Sequence, residues 1–221
     1  DMKKKNFFYK ENKPYLIAEI ASAHYGDKEN IYKLVKYAYK SKFDAIKLQI
    51  FNTDNFVSKY NSNYKILKKL EFNYNEWKKI INQLKRYKID WIAEIFDFES
   101  LIFCESLVFF DIYKISASCF YEKKIIDYIL KLKKKVIISV GGINFKEIKL
   151  ISNKLSKKNI NFCLMLGHQN FPTQIDDLNL NKIKYLKKNL KCNVGYADHV
   201  NANKLLSSFS IPLFAYFCGA E

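Results

Sequence analysis

Short apolar, β-branched runs alternate along this chain with longer amphipathic stretches. The runs fall at residues 15–20, 45–50, 90–95, 112–115, 136–140, 162–166, 193–196 and 213–218. Between them apolar residues recur at helical spacing, as in Ile31, Leu34, Val35 and Ala38, or Ile125, Ile126, Ile129 and Leu130. The same spacing recurs in Ile148, Ile151 and Leu155, and in Leu180, Ile183, Leu186 and Leu190. Near-continuous apolar runs are the mark of strands buried on both faces, and strict alternation with helices predicts parallel strands joined by right-handed crossovers. Eight such runs predict an α/β fold of the (β/α)8 TIM-barrel type.

The turn after the first run is Ala21-Ser22-Ala23-His24-Tyr25-Gly26, without the G-x-G that opens a doubly wound nucleotide-binding sheet. The connection at 52–73 is longer than the others, and in a barrel it would lie over the catalytic face as a candidate lid. No Gly-, Ser- or Pro-rich linker divides the sequence, so a single domain over 1–221 is expected. The eighth run is followed by no further helix. The expected barrel is thus cut short after strand 8, with one apolar flank left for a missing segment or a partner.

Composition adjusts this picture only slightly. The chain has a formal net charge of +16. Its positive residues are nearly all lysines, Arg86 being the single arginine, and they fall on the polar faces of the predicted helices. This pattern describes a solvated surface better than a nucleic-acid interface, although a positive field still draws anionic small molecules toward a cleft. No apolar stretch is long enough for a membrane span, and no apolar segment follows the basic start, so a cytoplasmic location is expected. The five cysteines, Cys104, Cys119, Cys163, Cys192 and Cys218, are widely spaced and form no C-x-x-C, which argues against a disulfide framework or a cysteine zinc site.

Barrel chemistry is built at the carboxyl ends of strands. The polar residues found there are Glu19, Lys47 and Gln49, Glu94, Lys114 with Ser116 and Ser118, Ser139 before Gly141-Gly142, His168-Gln169-Asn170, and Asp198-His199. A lysine set among Ala45, Ile46, Leu48 and Ile50 is costly to bury unless it meets an anion. That anion is either a bound phosphate or carboxylate, or an internal partner such as Glu19 or Glu94. Glu19 and Glu94 could also position a hydroxyl or move a proton. Ser139 with its glycines offers a hydroxyl and backbone amides to an anion, or forms a tight turn. His199 is a metal ligand, a general base or a structural hydrogen-bonder; His24 and His168 leave the same options open. Cys119 is a nucleophile only where its pKa is lowered.

Several of these segments resemble the sialic acid synthase (NeuB-like) family. Ile17-Ala18-Glu19-Ile20 with His24-Tyr25-Gly26-Asp27 is similar to its amino-terminal signature, and Ala45-Ile46-Lys47-Leu48-Gln49 to its second-strand motif. Tyr113-Lys114-Ile115-Ser116 resembles the fourth-strand lysine motif, and Ile138-Ser139-Val140-Gly141-Gly142 the fifth-strand serine segment. Asn170-Phe171-Pro172-Thr173 with Asp177-Leu178-Asn179-Leu180, and Gly195-Tyr196-Ala197-Asp198-His199, resemble the later motifs, in order.

The resemblance implies a transferase that condenses phosphoenolpyruvate with an N-acetylated aldose such as N-acetylmannosamine and releases phosphate, as in nonulosonic acid and polysaccharide biosynthesis. It implies that Lys47, Lys114 and Ser139 hold phosphoenolpyruvate. Glu19 and Gln49 face the sugar, and Gln169 or Asn170 supports the phosphate side. Asp198 joins the substrate site, and His199 is one ligand of a divalent metal, expected to be Mn2+, which polarises the aldehyde. The second metal histidine and the carboxyl-terminal antifreeze-like domain of the family are not in this chain, and a homodimer is a further implication. The chain departs from the family pattern at Glu94, Ala117, Cys119, Phe171 and Ala197. Two other readings stand beside the synthase: a Schiff-base aldolase using Lys47 or Lys114, and a non-catalytic barrel that binds a sugar or a partner.

Overall fold

The structure, a computed structural model, describes residues 13–221. The chain forms two compact units, Leu16–Tyr128 and Ile129–Glu221, the second including residues 13–15.

In Leu16–Tyr128 four parallel strands run side by side in sequence order: β1 (Ile17–Glu19), β2 (Ala45–Ile50), β3 (Asp90–Ile95) and β4 (Ile112–Ile115). Ile46, Leu48, Ile50, Ile92, Ile95 and Ile112 are all 1% exposed or less, so one whole face of β2 and both faces of β3 are sealed from water. Each such side chain contributes roughly 1.5–3 kcal/mol on burial. The first crossover is α1 (Lys28–Lys40), which buries Ile31, Val35 and Ala38 and is capped by the Asp27 carboxylate accepting from Glu29 N–H.

The 52–73 connection is folded rather than open. It carries α2 (Thr53–Phe56) and α3 (Tyr64–Leu70). Asp54 accepts from Tyr64 Oη at 2.5 Å, and the Thr53 N–H donates to Glu71 at 2.8 Å. Its start is tied to the end of β3 by Asn52 N–H donating to Asp97 at 2.9 Å. α4 (Tyr74–Leu84) opens with a capping box between Asn73 and Glu76. α5 (Phe98–Ser106) is capped by Asp97, which accepts from Ser100 N–H and Oγ. α6 (Lys123–Leu132) follows a short 3-10 turn at Ala117–Cys119.

In Ile129–Glu221 three parallel strands pair in order: β5 (Lys135–Ser139), β6 (Phe162–Leu166) and β7 (Asn193–Tyr196). α7 (Phe145–Lys157) and α8 (Asn181–Leu190) bury the expected apolar stripes, Ile148, Ile151 and Leu155 on one and Ile183 and Leu186 on the other.

The eighth strand expected at 213–218 does not form. Those residues continue α9 (Leu205–Phe217), which runs through Pro212. An apolar run gives no periodicity by which to separate a strand from a helix. Ile211 and Ala215, four residues apart, are the two buried positions of α9, whereas Leu206, Phe209 and Phe217 are exposed. A closed (β/α)8 ring needs an eighth strand, and the described residues supply seven. The carboxyl end is nonetheless fastened: Glu221 N–H donates to Val194 O at 3.0 Å, and Lys187 Nζ binds Gly219 O at 2.8 Å and the Glu221 carboxylate.

Candidate active site

Parallel registration brings five polar side chains of Leu16–Tyr128 together. Glu19 on β1 lies level with Lys47 on β2. Gln49, two residues on and therefore on the same face of β2, lies level with Glu94 on β3, which lies level with Lys114 on β4. The opposite face is apolar or turned to a helix, as Tyr113 shows by donating from Oη to Glu105 of α5 at 2.5 Å.

Glu94 is the hub of the cluster. Its Oε2 accepts from Lys47 Nζ at 2.6 Å and from Gln49 Nε2 at 3.1 Å, and its Oε1 accepts from Lys114 Nζ. Lys47 also pairs with Glu19, whose Oε1 accepts the Ala21 N–H at 3.2 Å. Lys47, Glu94 and Lys114 are 5%, 3% and 8% exposed, so these charges are compensated by one another rather than by water.

The burial and pairing set the proton affinities. Burial alone would raise the Glu94 carboxyl, but the Lys47 and Lys114 ammonium groups outweigh it and hold it down to about 2. Burial pulls Lys47 down, and Glu94 with Glu19 overturns that, so its ammonium is held above the ordinary lysine value. Lys114 goes the other way. Burial and the Lys47 charge lower it to about 8 against the opposing pull of Glu94 and Glu19. The two lysines of the expected site therefore differ: Lys47 is a fixed cation, and Lys114 is a group that loses its proton in mildly alkaline solution.

The remaining expected residues lie in Ile129–Glu221, at the ends of β5, β6 and β7. Ser139 ends β5 and is 6% exposed. Beyond it the backbones crowd together: a Cβ on Gly141 would stand 2.1 Å from Gly167 O and 2.6 Å from Gln169 Nε2. Gly142 takes φ +76°, a left-handed conformation suited to glycine. These glycines border a cavity of about 240 Å3 whose lining includes His168, Gln169, Asp177 and Tyr196.

His199 donates from Nδ1 to His168 O at 2.6 Å, which fixes the ring and leaves Nε2 as its acceptor or ligand atom. The next turn is pinned by Thr173, whose N–H donates to His199 O at 2.8 Å and whose Oγ1 donates to Asn170 O at 2.6 Å. Asp198 is exposed, and its Oδ1 accepts the Val200 N–H at 3.2 Å. Among the described residues no three His, Cys, Asp or Glu side chains converge on a metal position. His199 offers one imidazole nitrogen, and the donor set for a tightly held Mn2+ is not complete in these residues.

Other candidates take structural roles. His24 accepts the Gly26 N–H on Nδ1 at 3.0 Å, and burial lowers its pKa, so it holds its turn as a neutral ring. Burial pushes the Cys119 thiol up, and Sγ–H donates to Phe96 O at 3.4 Å, which leaves no activated nucleophile there. Sequence reasoning did not pick out Asp97, which ties the β2–α2 turn to the start of α5. The signal was present: an aspartate with a serine three residues on, at the head of a helix, is an N-cap pattern.

An α/β fold with its polar side chains gathered at the carboxyl ends of parallel strands is the plan of TIM-barrel enzymes. Comparison with known proteins makes the assignment specific. The sequence profile of the NeuB family matches residues 34–221, and the chain belongs to that family. It is 30% identical over 204 residues to the N,N'-diacetyllegionaminic acid synthase of Campylobacter jejuni, covering 85% of this chain and 61% of that protein. It is 28% identical over 229 residues to the pseudaminic acid synthase of the same species, covering 97% of this chain and 65% of the relative. The chain thus spans less than two thirds of these relatives. The crystal structure of the N-acetylneuraminic acid (sialic acid) synthetase of Leptospira borgpetersenii superposes with a TM-score of 0.86 at 26% identity, over 95% of this chain and 71% of that one. Among the described residues no helix is long and apolar enough to cross a membrane.

Proposed function

We propose that this chain carries the phosphoenolpyruvate-binding part of a nonulosonic acid synthase. Carbon 3 of phosphoenolpyruvate forms a bond to the aldehyde carbon of an N-acetylated aldose, water adds at carbon 2, and inorganic phosphate leaves. The observation that carries this reading is the pair of buried lysines, Lys47 on β2 and Lys114 on β4, which close from either side on the single Glu94 carboxylate of the β3 strand between them. In this reading the lysines take the anionic groups of phosphoenolpyruvate, where burial strengthens each contact. Glu19 and Gln49 face the sugar. Ser139, Gln169 and Asn170 serve the phosphate, and Asp198 joins the substrate side. His199 supplies one ligand to a divalent cation, with the rest coming from outside the described residues. A cytoplasmic homodimer is part of the same proposal.

The test is phosphate release from phosphoenolpyruvate by the full-length protein, with N-acetylmannosamine and related aldoses, with and without Mn2+. Lys114→Ala should abolish release while leaving the circular dichroism spectrum unchanged; full activity in that variant removes Lys114 from the site. Of the two lysines considered for a Schiff-base aldolase, only Lys114, lowered to about 8, approaches the free amine that such chemistry needs. Borohydride trapping with a keto acid substrate separates that reading from the synthase.

A further inference from the structure

The lysine pair already holds an anion. Both Glu94 oxygens are engaged, one by Lys114 and the other by Lys47 and Gln49, so three donors from two strands converge on a single side-chain carboxylate. This is the donor arrangement that a bound substrate carboxylate or phosphate would use. Glu94 is 3% exposed and sits on β3 between β2 and β4, level with Gln49 and Lys114. It therefore lies at the heart of the donor set rather than at its rim. Counting Glu19, the cluster has two ammonium groups and two carboxylates, and its net charge is zero.

We propose that Glu94 is the built-in counter-anion of this site, and that an anionic substrate reaches Lys47 and Lys114 only by displacing it. The inference rests on the reading that these lysines bind the anionic groups of the substrate, and it names the residue that sets how strongly they do so. An incoming phosphate must break the Lys47 and Lys114 contacts to Glu94 and leave that carboxylate close to its own charge. Each ligand anion therefore competes with a covalently tethered one, whose effective concentration is high because the strand holds it in place. Removing the charge but keeping the shape relieves both the competition and the repulsion.

The experiment is a calorimetric titration of full-length wild type and Glu94→Gln with inorganic phosphate at pH 7.5 and low salt, with phosphoenolpyruvate turnover measured on the same preparations. Glu94→Gln should bind phosphate at least tenfold more tightly than wild type, and the gain should vanish in a Lys114→Ala background. Equal or weaker phosphate binding by Glu94→Gln would show that Glu94 only orients the lysines, and would overturn the proposal. Should Glu94→Gln not fold, Glu94→Thr is titrated in its place, with the same gain expected and the same result counting against it. The two readings part cleanly. A phosphate gain without turnover in wild type sustains the counter-anion and removes the synthase, whereas turnover in wild type without a gain does the reverse.

Discussion

Replacing Glu94 with glutamine should destabilise the protein by roughly 3 kcal/mol at neutral pH, and the loss should disappear in acid. The carboxyl is held at about 2 against an ordinary 4.5. At about 1.4 kcal/mol for each pH unit, that difference amounts to roughly 3 kcal/mol of folding free energy. Geometry supports the same order. At the 2.6 Å separation from Lys47, two unit charges attract by roughly 6 kcal/mol at an effective dielectric of about 20, and desolvation removes several kcal/mol of that. Glutamine keeps the shape of the side chain and cannot ionise. Because the folded carboxyl binds its proton less tightly than the unfolded one, the stabilisation is complete above about pH 4.5 and drains away as the pH falls toward 2. Urea midpoints of wild type and Glu94→Gln at pH 7, 5 and 3 should show a wide gap at the two higher values and a narrowing one at the lowest. Coincident midpoints with equal slopes at pH 7, or a gap that persists undiminished on acidification, would refute the reasoning.

Lys114 should react with an amine-modifying reagent along a titration curve centred near pH 8, while Lys47, held protonated by two carboxylates, stays unlabelled there. Mass spectrometry of peptides after a brief exposure to trinitrobenzenesulfonate distinguishes them, and equal labelling of both lysines contradicts the assignment. Gly141→Ala should cost about 1–3 kcal/mol or more, because its methyl would press on the backbone oxygen of Gly167, which cannot swing aside as a side chain does. Chemical denaturation measures the loss, and a midpoint equal to wild type would mean that the close approach of these two strand ends is absent.

Much of this arrangement was legible in the residues themselves, and the reasons are particular. The bounds of β2, β3, β4, β6 and β7 coincide with their apolar runs because strands covered on both faces tolerate little polarity between their ends. For the same reason Lys47 and Lys114 stood out: a cation inside such a run needs a partner, and Glu19 and Glu94 were the carboxylates at hand. That an internal carboxylate takes both lysines depends on register, which links Glu94 to residues 47 and 20 positions away in sequence and which no local pattern encodes. α9 failed for the opposite reason. Its apolar residues go all the way round, so they carry no period to read. The anchoring of His199 by the His168 carbonyl was equally invisible, since backbone atoms are the same in every sequence.

A neutral cluster of charges with three of its four members buried also separates attraction at a distance from retention on arrival. The chain's surplus of sixteen positive charges is carried by groups outside the quartet of Glu19, Lys47, Glu94 and Lys114, largely by lysines on helix surfaces. Dissolved salt shortens the reach of such groups to about 8 Å at physiological ionic strength. It leaves almost untouched a contact sealed between strands. Raising the salt should then slow the delivery of a negatively charged metabolite far more than it loosens one already seated.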